Sequence, residues 1–181
     1  MCAWNTRGLR GNTFEKMINF TNVAYIEKNL AVIQKIPTSI TPVELDSKTG
    51  MITKAFFEQK STVDYIGVVQ GVPICFDAKE ISKKILPLQN IHEHQILFMK
   101  KFIEHKGIAF LLVYFSTLNE VFYLPFDTLY KYYKNSKNGG RKSIPYDAFD
   151  QSLKVSNKGG FLIHYLEQVK IDYIRIYLPR D

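Results

Sequence analysis

Two aspartates and a lysine carry the strongest chemical signal in this chain. Asp64 stands in Ser61-Thr62-Val63-Asp64-Tyr65, and twelve residues separate it from Asp77 in Ile74-Cys75-Phe76-Asp77-Ala78-Lys79-Glu80. Val72-Pro73-Ile74-Cys75-Phe76 reads as an apolar strand. On a strand, alternate side chains share a face and sit about 6.6 Å apart. Asp77 and Lys79 therefore project together, with Cys75 on the same face. Asp64 opens the preceding strand, and Gly67 and Gly71 help a hairpin bring the two strands side by side. Two carboxylates converging beside a lysine suit a metal-dependent phosphodiesterase. The carboxylates hold a hard divalent cation, and the lysine stabilises charge on the scissile phosphate or helps position the attacking water. By itself the spacing is also that of a solvated salt-bridging pair. The apolar setting weighs against that reading, because a buried charge needs a partner or a metal.

Such a site needs elements to position it. The coarse order is α/β. A helix capped by Asn12 or Thr13 carries an apolar stripe of Phe14, Met17, Ile18, Val23, Ile26 and Leu30, with Glu15 in its first turn. Residues 31–36 read as a strand. Two β-prone arms at 39–45 and 51–57 flank the turn Asp46-Ser47-Lys48-Thr49-Gly50. After the strands of Asp64 and Asp77 come a basic loop (Lys83, Lys84) and Pro87, a helix over about 91–105, strands over 108–115 and 121–124, and a helix over 126–133. Ser143 is expected to cap a short helix around 145–151. Two apolar runs in the tail, 161–166 and 173–178, leave helix and strand both open.

Composition agrees with a nucleic-acid partner. The 181 residues are 46% hydrophobic and 14% aromatic, enough for one compact domain with its own core. The net charge is +7 and the isoelectric point about 9.3, which favours polyanions. Between Asp127 and Asp147 there is no acid, while Lys131, Lys134, Lys137, Arg141 and Lys142 are basic and interleaved with Tyr130, Tyr132 and Tyr133. Lysines and arginines of this kind contact phosphate, and tyrosines stack on bases or sugars; a solvated helix end is the plainer alternative. Gly139-Gly140-Arg141-Lys142 lacks the spacing of a phosphate-binding P-loop and reads as a DNA-facing turn. Cys2 and Cys75 are too few for a disulfide framework or a zinc site, so a reducing, cytoplasmic setting is expected. No apolar run reaches the roughly 18 residues of a membrane span, and no signal peptide opens the chain. His92 and His94, two apart at a helix start, are not expected to share a face or bind a metal.

The order of elements and several short motifs together resemble the RecU-type Holliday junction resolvases. The matching pieces are Arg10-Gly11-Asn12-Thr13-Phe14-Glu15, Ala31-Val32-Ile33-Gln34-Lys35-Ile36-Pro37-Thr38 and the two aspartate motifs. They continue with Pro87-Leu88-Gln89-Asn90-Ile91-His92-Glu93-His94-Gln95, Asn138-Gly139-Gly140-Arg141-Lys142-Ser143-Ile144 and Ile171-Asp172-Tyr173-Ile174. The resemblance implies a restriction-endonuclease-like fold: a mixed β-sheet core flanked by helices, with a protruding β-hairpin stalk over about 37–59 on a single nuclease domain spanning 1–181. It implies Thr62, Asp64, Asp77 and Gln95 as ligands of Mg2+, with Mn2+ as a substitute. Lys79 falls at the position that stabilises the transition state, and Glu15 at a supporting acid of the catalytic centre. The family commonly carries Glu where this chain has Asp77, one methylene longer. Arg10 and Lys35 fall at basic positions tied to DNA handling. Lys48 at the stalk tip and Lys54 on its returning arm are expected to meet phosphates at a junction centre. Only nine residues precede Arg10, so contacts from a longer basic amino-terminal arm are not expected.

The implied activity is endonucleolytic resolution of four-way DNA junctions by paired, metal-dependent nicks during recombination and repair. A homodimer is expected, because two related incisions need two equivalent sites. A recombinase and a branch-migration helicase are further expected partners. Two other readings stay open: a restriction-like or repair nuclease acting on ordinary duplex, and a junction-binding recombination protein that does not cut.

Overall fold

The structure, a computed structural model, describes residues 12–37, 40–57 and 62–178. Arg10 lies outside the described residues. In chain order the elements are α1 (Asn12–Glu27), β1 (Val32–Lys35), β2 (Ile40–Leu45), β3 (Ile52–Phe57), β4 (Tyr65–Val69) and β5 (Val72–Ile81). Then come β6 (Ile85–Pro87), α2 (Glu93–Glu104), β7 (Ile108–Phe115), β8 (Glu120–Pro125), α3 (Phe126–Lys137), β9 (Ser143–Pro145), β10 (Lys154–Val155) and α4 (Leu166–Tyr177). No helix among the described residues is long and apolar enough to cross a membrane.

Six strands form one mixed sheet in the order β1-β4-β5-β7-β8-β10. All neighbours run antiparallel except β5 and β7, which are parallel and joined by the crossover through α2. Central strands β5 and β7 are apolar on both sides, as strands covered on two faces must be. Ile74, Phe76, Phe110, Leu112 and Tyr123 pack with Phe14, Ile18 and Tyr25 of α1 and Val169 of α4. Cys75, Ile81, Ala109, Leu111 and Val113 pack on the other side with Ile96 and Met99 of α2 and Leu129 of α3. On the first face, Tyr65, Phe76, Phe110 and Tyr123 stack ring on ring across four strands, with centroids 4.7, 4.8 and 4.2 Å apart. Close stacking of this kind stabilises beyond the area it buries.

Among the described residues β2 and β3 form their own two-stranded sheet, separate from the main sheet. The link is the turn the sequence promised. Asp46 Oδ1 accepts from the Lys48 and Thr49 amides at 2.8 and 2.9 Å, and Gly50 closes the turn at φ +69°. Ile40, Val43, Leu45, Met51, Ile52 and Phe56 are all exposed along this hairpin.

Two expectations need correction. Ser143 does not cap a helix; it opens β9, which pairs with β6, and residues 145–151 hold only short 3-10 turns. The stretch read as a basic loop with Pro87 contains β6 for the same reason: a partner strand far along the chain supplies the ladder. Of the two tail runs, left open between helix and strand, 173–177 is the second half of α4, while 161–165 is irregular and feeds it.

Candidate active site

The β4–β5 hairpin sets the centre of the site. Its register pairs Tyr65 with Phe76, which places Asp64 opposite Asp77 at the mouth of the hairpin. Two hydrogen bonds lock the pair. The Asp64 amide donates to Asp77 Oδ1 at 2.7 Å, and the Ala78 amide donates to Asp64 Oδ2 at 2.9 Å. A third, from the Ile36 amide to the Asp64 carbonyl at 2.8 Å, ties the end of β1 to the same point.

Asp77 is fully buried. Lys79, two residues on and on the same face, brings Nζ to 2.9 Å from Asp77 Oδ2. The contact is an ion pair whose angle does not make a hydrogen bond, so Oδ2 has no hydrogen-bond donor among the described residues. Its lone pairs are therefore available to a cation. Burial raises the Asp64 carboxyl to about 6, and the neighbouring Asp77 charge pushes in the same direction; the Ala78 amide and Lys79 pull against both. Burial likewise raises the Cys75 thiol, with Asp77 adding to it, so this cysteine is an inert core residue.

Among the described residues no three His, Cys, Asp or Glu side chains gather to hold a metal. That suits a hard, hydrated ion, since Mg2+ needs only one or two carboxylates and keeps several waters. The donor set fits: two facing carboxylates, one with an unclaimed oxygen.

The other expected residues divide. Glu15, on the first turn of α1, lies near enough to Asp64 to raise its carboxyl further, and its Oε2 is paired with Lys35 Nζ at 2.5 Å. Tyr65 donates to Asn19 Oδ1 at 2.9 Å and to the Glu15 carbonyl, fixing α1 against the site. Thr62 is exposed, two residues before Asp64. Gln95 is buried at the start of α2, but its Oε1 accepts from the His92 amide at 3.0 Å and makes no bond to either aspartate. It works as one arm of a capping box.

The basic segment is tied to the stretch that leads into α2 by contacts that the sequence did not show. Pro87 pairs with Ser143, and the Leu88 amide donates to the Lys142 carbonyl at 3.1 Å. Arg141 and Lys142, both exposed, thus flank the segment that leads into α2. Glu93 in the first turn of α2 accepts from Tyr133 at 3.1 Å and pairs with Lys137 at 3.6 Å, which moors the last turns of α3. Lys131 and Lys134 are exposed on α3, the latter over the ring of Tyr130. Lys137, three residues beyond Lys134, continues this basic series. On the hairpin Lys48 is exposed, while Lys54 pairs with Glu44 at 3.5 Å.

His92 and His94 overturn the expectation that they cannot share a face. Their rings lie nearly parallel, centroids 5.3 Å apart. The reason is local: His92 has extended backbone, φ −78° and ψ 148°, and so escapes the helical spacing assumed for it. A cleft of about 620 Å3 between Val72, Phe161, His164 and Val169 contains none of the site residues.

A family model described as recombination protein U matches residues 9–171. The Holliday junction resolvase RecU of Oenococcus oeni is 42% identical over 168 residues, covering 90% of this chain and 85% of its own. That of Geobacillus sp. is 40% identical over 176 residues, covering 93% and 83%. Among solved structures, the Holliday junction resolvase Hjc of Archaeoglobus fulgidus aligns at a TM-score of 0.40 and 10% identity, over 65% of this chain and 74% of that one. That likeness is too slight to argue from.

Proposed function

Because the chain belongs to the recombination protein U family, we propose that it is a structure-selective endodeoxyribonuclease that resolves four-way DNA junctions by paired, metal-dependent nicks. The observation that carries this reading is the facing pair of Asp64 and Asp77, with a buried oxygen left unclaimed beside Lys79. Asp64 and Asp77 would hold the ion, with Thr62, two residues before Asp64, and Gln95, at the start of α2, as neutral oxygen donors. Mg2+ is the expected ion and Mn2+ its substitute; bound there, it would supply activation of water and positive charge against that building on the phosphate. Lys79 supplies a second positive charge to the same phosphate. Glu15 supports the centre from α1.

Selectivity comes from shape more than from base contacts. Lys131, Lys134, Arg141 and Lys142 offer phosphate contacts without sequence information, and the β2–β3 hairpin suits an open centre that only a junction provides. Arg10, Lys35, Lys48 and Lys54 complete the proposed DNA surface. The chain acts as one nuclease domain in a homodimer, whose two-fold axis supplies the two incisions. The cytoplasm is the proposed setting, with a recombinase and a branch-migration helicase as partners.

The test is a labelled mobile four-way junction incubated with Mg2+ and then with excess chelator. Symmetric products that vanish with the chelator are expected. Equal cutting of linear duplex would favour a general nuclease instead, and binding without cutting would favour an accessory role.

A further inference from the structure

We infer that Lys79 and the divalent cation compete for one oxygen, Asp77 Oδ2, so that metal binding itself releases the lysine toward the DNA. This rests on the metal site of the proposed function and adds an order of events to it.

Asp77 is 0% exposed, and a buried carboxylate must have a compensating charge. Its Oδ1 is committed to the Asp64 amide. Its Oδ2 faces Lys79 Nζ alone, at 2.9 Å and off the angle of a hydrogen bond. On the facing Asp64, Oδ2 accepts from the Ala78 amide. The oxygen best suited to a cation is thus the one the ammonium already neutralises. Two positive charges on a single buried oxygen repel strongly at low local dielectric. One must leave, and the lysine has the means. Its four-carbon stem is flexible, and its side chain keeps 17% exposure, so a path outward exists. An ammonium displaced from Asp77 moves toward solvent, the side from which a phosphate arrives. The lysine then reaches the substrate only once the cation is seated, and a junction bound without metal meets a lysine still held by Asp77.

The measurement is the affinity of chelator-stripped protein for Mg2+ by calorimetry, with no DNA present. Lys79→Met should bind Mg2+ about tenfold more tightly, because the competitor is gone. Lys79→Arg, which restores the ion pair, should stay near the wild type. Lys83→Met removes an equal charge beyond the same strand and should change affinity by no more than about twofold at moderate salt. A second readout uses the unmutated protein. Its lysines are 13C-methylated, and the Lys79 signal is identified by its absence from Lys79→Arg. That signal should move during Mg2+ titration with the midpoint found by calorimetry. A Lys79 signal unmoved at saturation, or Lys79→Met with wild-type affinity, would overturn the inference. If those results came from a protein that still cuts junctions with Mg2+, the proposed function would stand and the competition alone would fall. A wild type that neither binds Mg2+ nor cuts would sink both.

Discussion

Lys35 Nζ is paired with Glu15 Oε2, so a residue expected on DNA holds one expected at the catalytic centre. The pair joins α1 to the edge strand β1, and both side chains are partly exposed. Exposed pairs contribute little to stability, roughly 0–1 kcal/mol. Lys35→Ala should therefore melt within a few degrees of the wild type. Its junction affinity should fall less than tenfold, by about one phosphate contact, and the salt dependence of binding should flatten by up to about one unit. A large loss of melting temperature would mean that the pair is structural.

Chemistry and binding should separate at Asp77. Asp77→Asn keeps the size of the side chain and removes a charge needed by the ion. Cleavage should vanish while junction binding, measured by gel shift in Ca2+ or without metal, stays near wild type. Lys79→Ala should slow single-turnover cleavage by two orders of magnitude or so, the equivalent of about 3 kcal/mol. Rates within about threefold of wild type would refute its role.

The acid limb of activity should follow Asp64. Its carboxyl is raised to about 6, chiefly by burial. A raised carboxylate favours the protonated folded state. Its stabilising effect is complete below the unfolded value near 3.8 and is lost as pH rises through about 6. The metal-free protein should thus lose at most about 3 kcal/mol over that window through this group, and Asp64→Asn should abolish that loss. Metal affinity runs the other way, because the ligand must be ionised. Mg2+ binding should weaken below pH 6 by up to about tenfold per unit. A flat affinity from pH 7 to 5 would exclude Asp64 as a ligand.

Salt should loosen junction binding steeply if the exposed lysines face phosphate. Neutralising Lys131, Lys134, Arg141 and Lys142 singly should lower the log–log slope by about one unit at most for each. An unchanged slope in the quadruple variant would turn this surface away from DNA.

The hairpin is the sharpest test of junction preference. Lys54 is tied to Glu44 and Asp46 to its own turn, so the stalk offers less free positive charge than its lysines suggest. Replacing residues 45–52 with a short Gly-containing turn should leave folding and the metal site intact, because none of the main-sheet strands is touched. Competition between a junction and a duplex of equal length should then lose its bias. Unchanged preference would shift selectivity to the dimer.

Much of this was legible in the chain because local pattern and burial agreed. Asp64 and Asp77 were placed by strand alternation and one tight hairpin, and Ile108–Phe115 was bounded by its own hydrophobic run. The hidden parts depend on distant partners. Ser143 sits in a strand only because Pro87 lies opposite it. Gln95 serves a helix cap that sequence spacing did not reveal, and His92 stacks on His94 through a backbone angle at the helix boundary. The pairing of Lys35 with Glu15 spans twenty residues and two elements, beyond the reach of any local rule.

The stacked rings under the site have a dynamic consequence. Phe76 is held between Tyr65 and Phe110, at 4.7 and 4.8 Å, and its chain neighbour is Asp77. A ring so confined can turn over only when the strands part by a fraction of an ångström, because the interior is close-packed. Its flip rate is then a clock for breathing of β4 and β5, the two strands that hold the carboxylates. In the aromatic NMR spectrum Phe76 should show slowly exchanging, broadened ring signals, while an open ring such as Phe20 on α1 averages freely. The paired aspartates inherit their stiffness from aromatic friction one residue away.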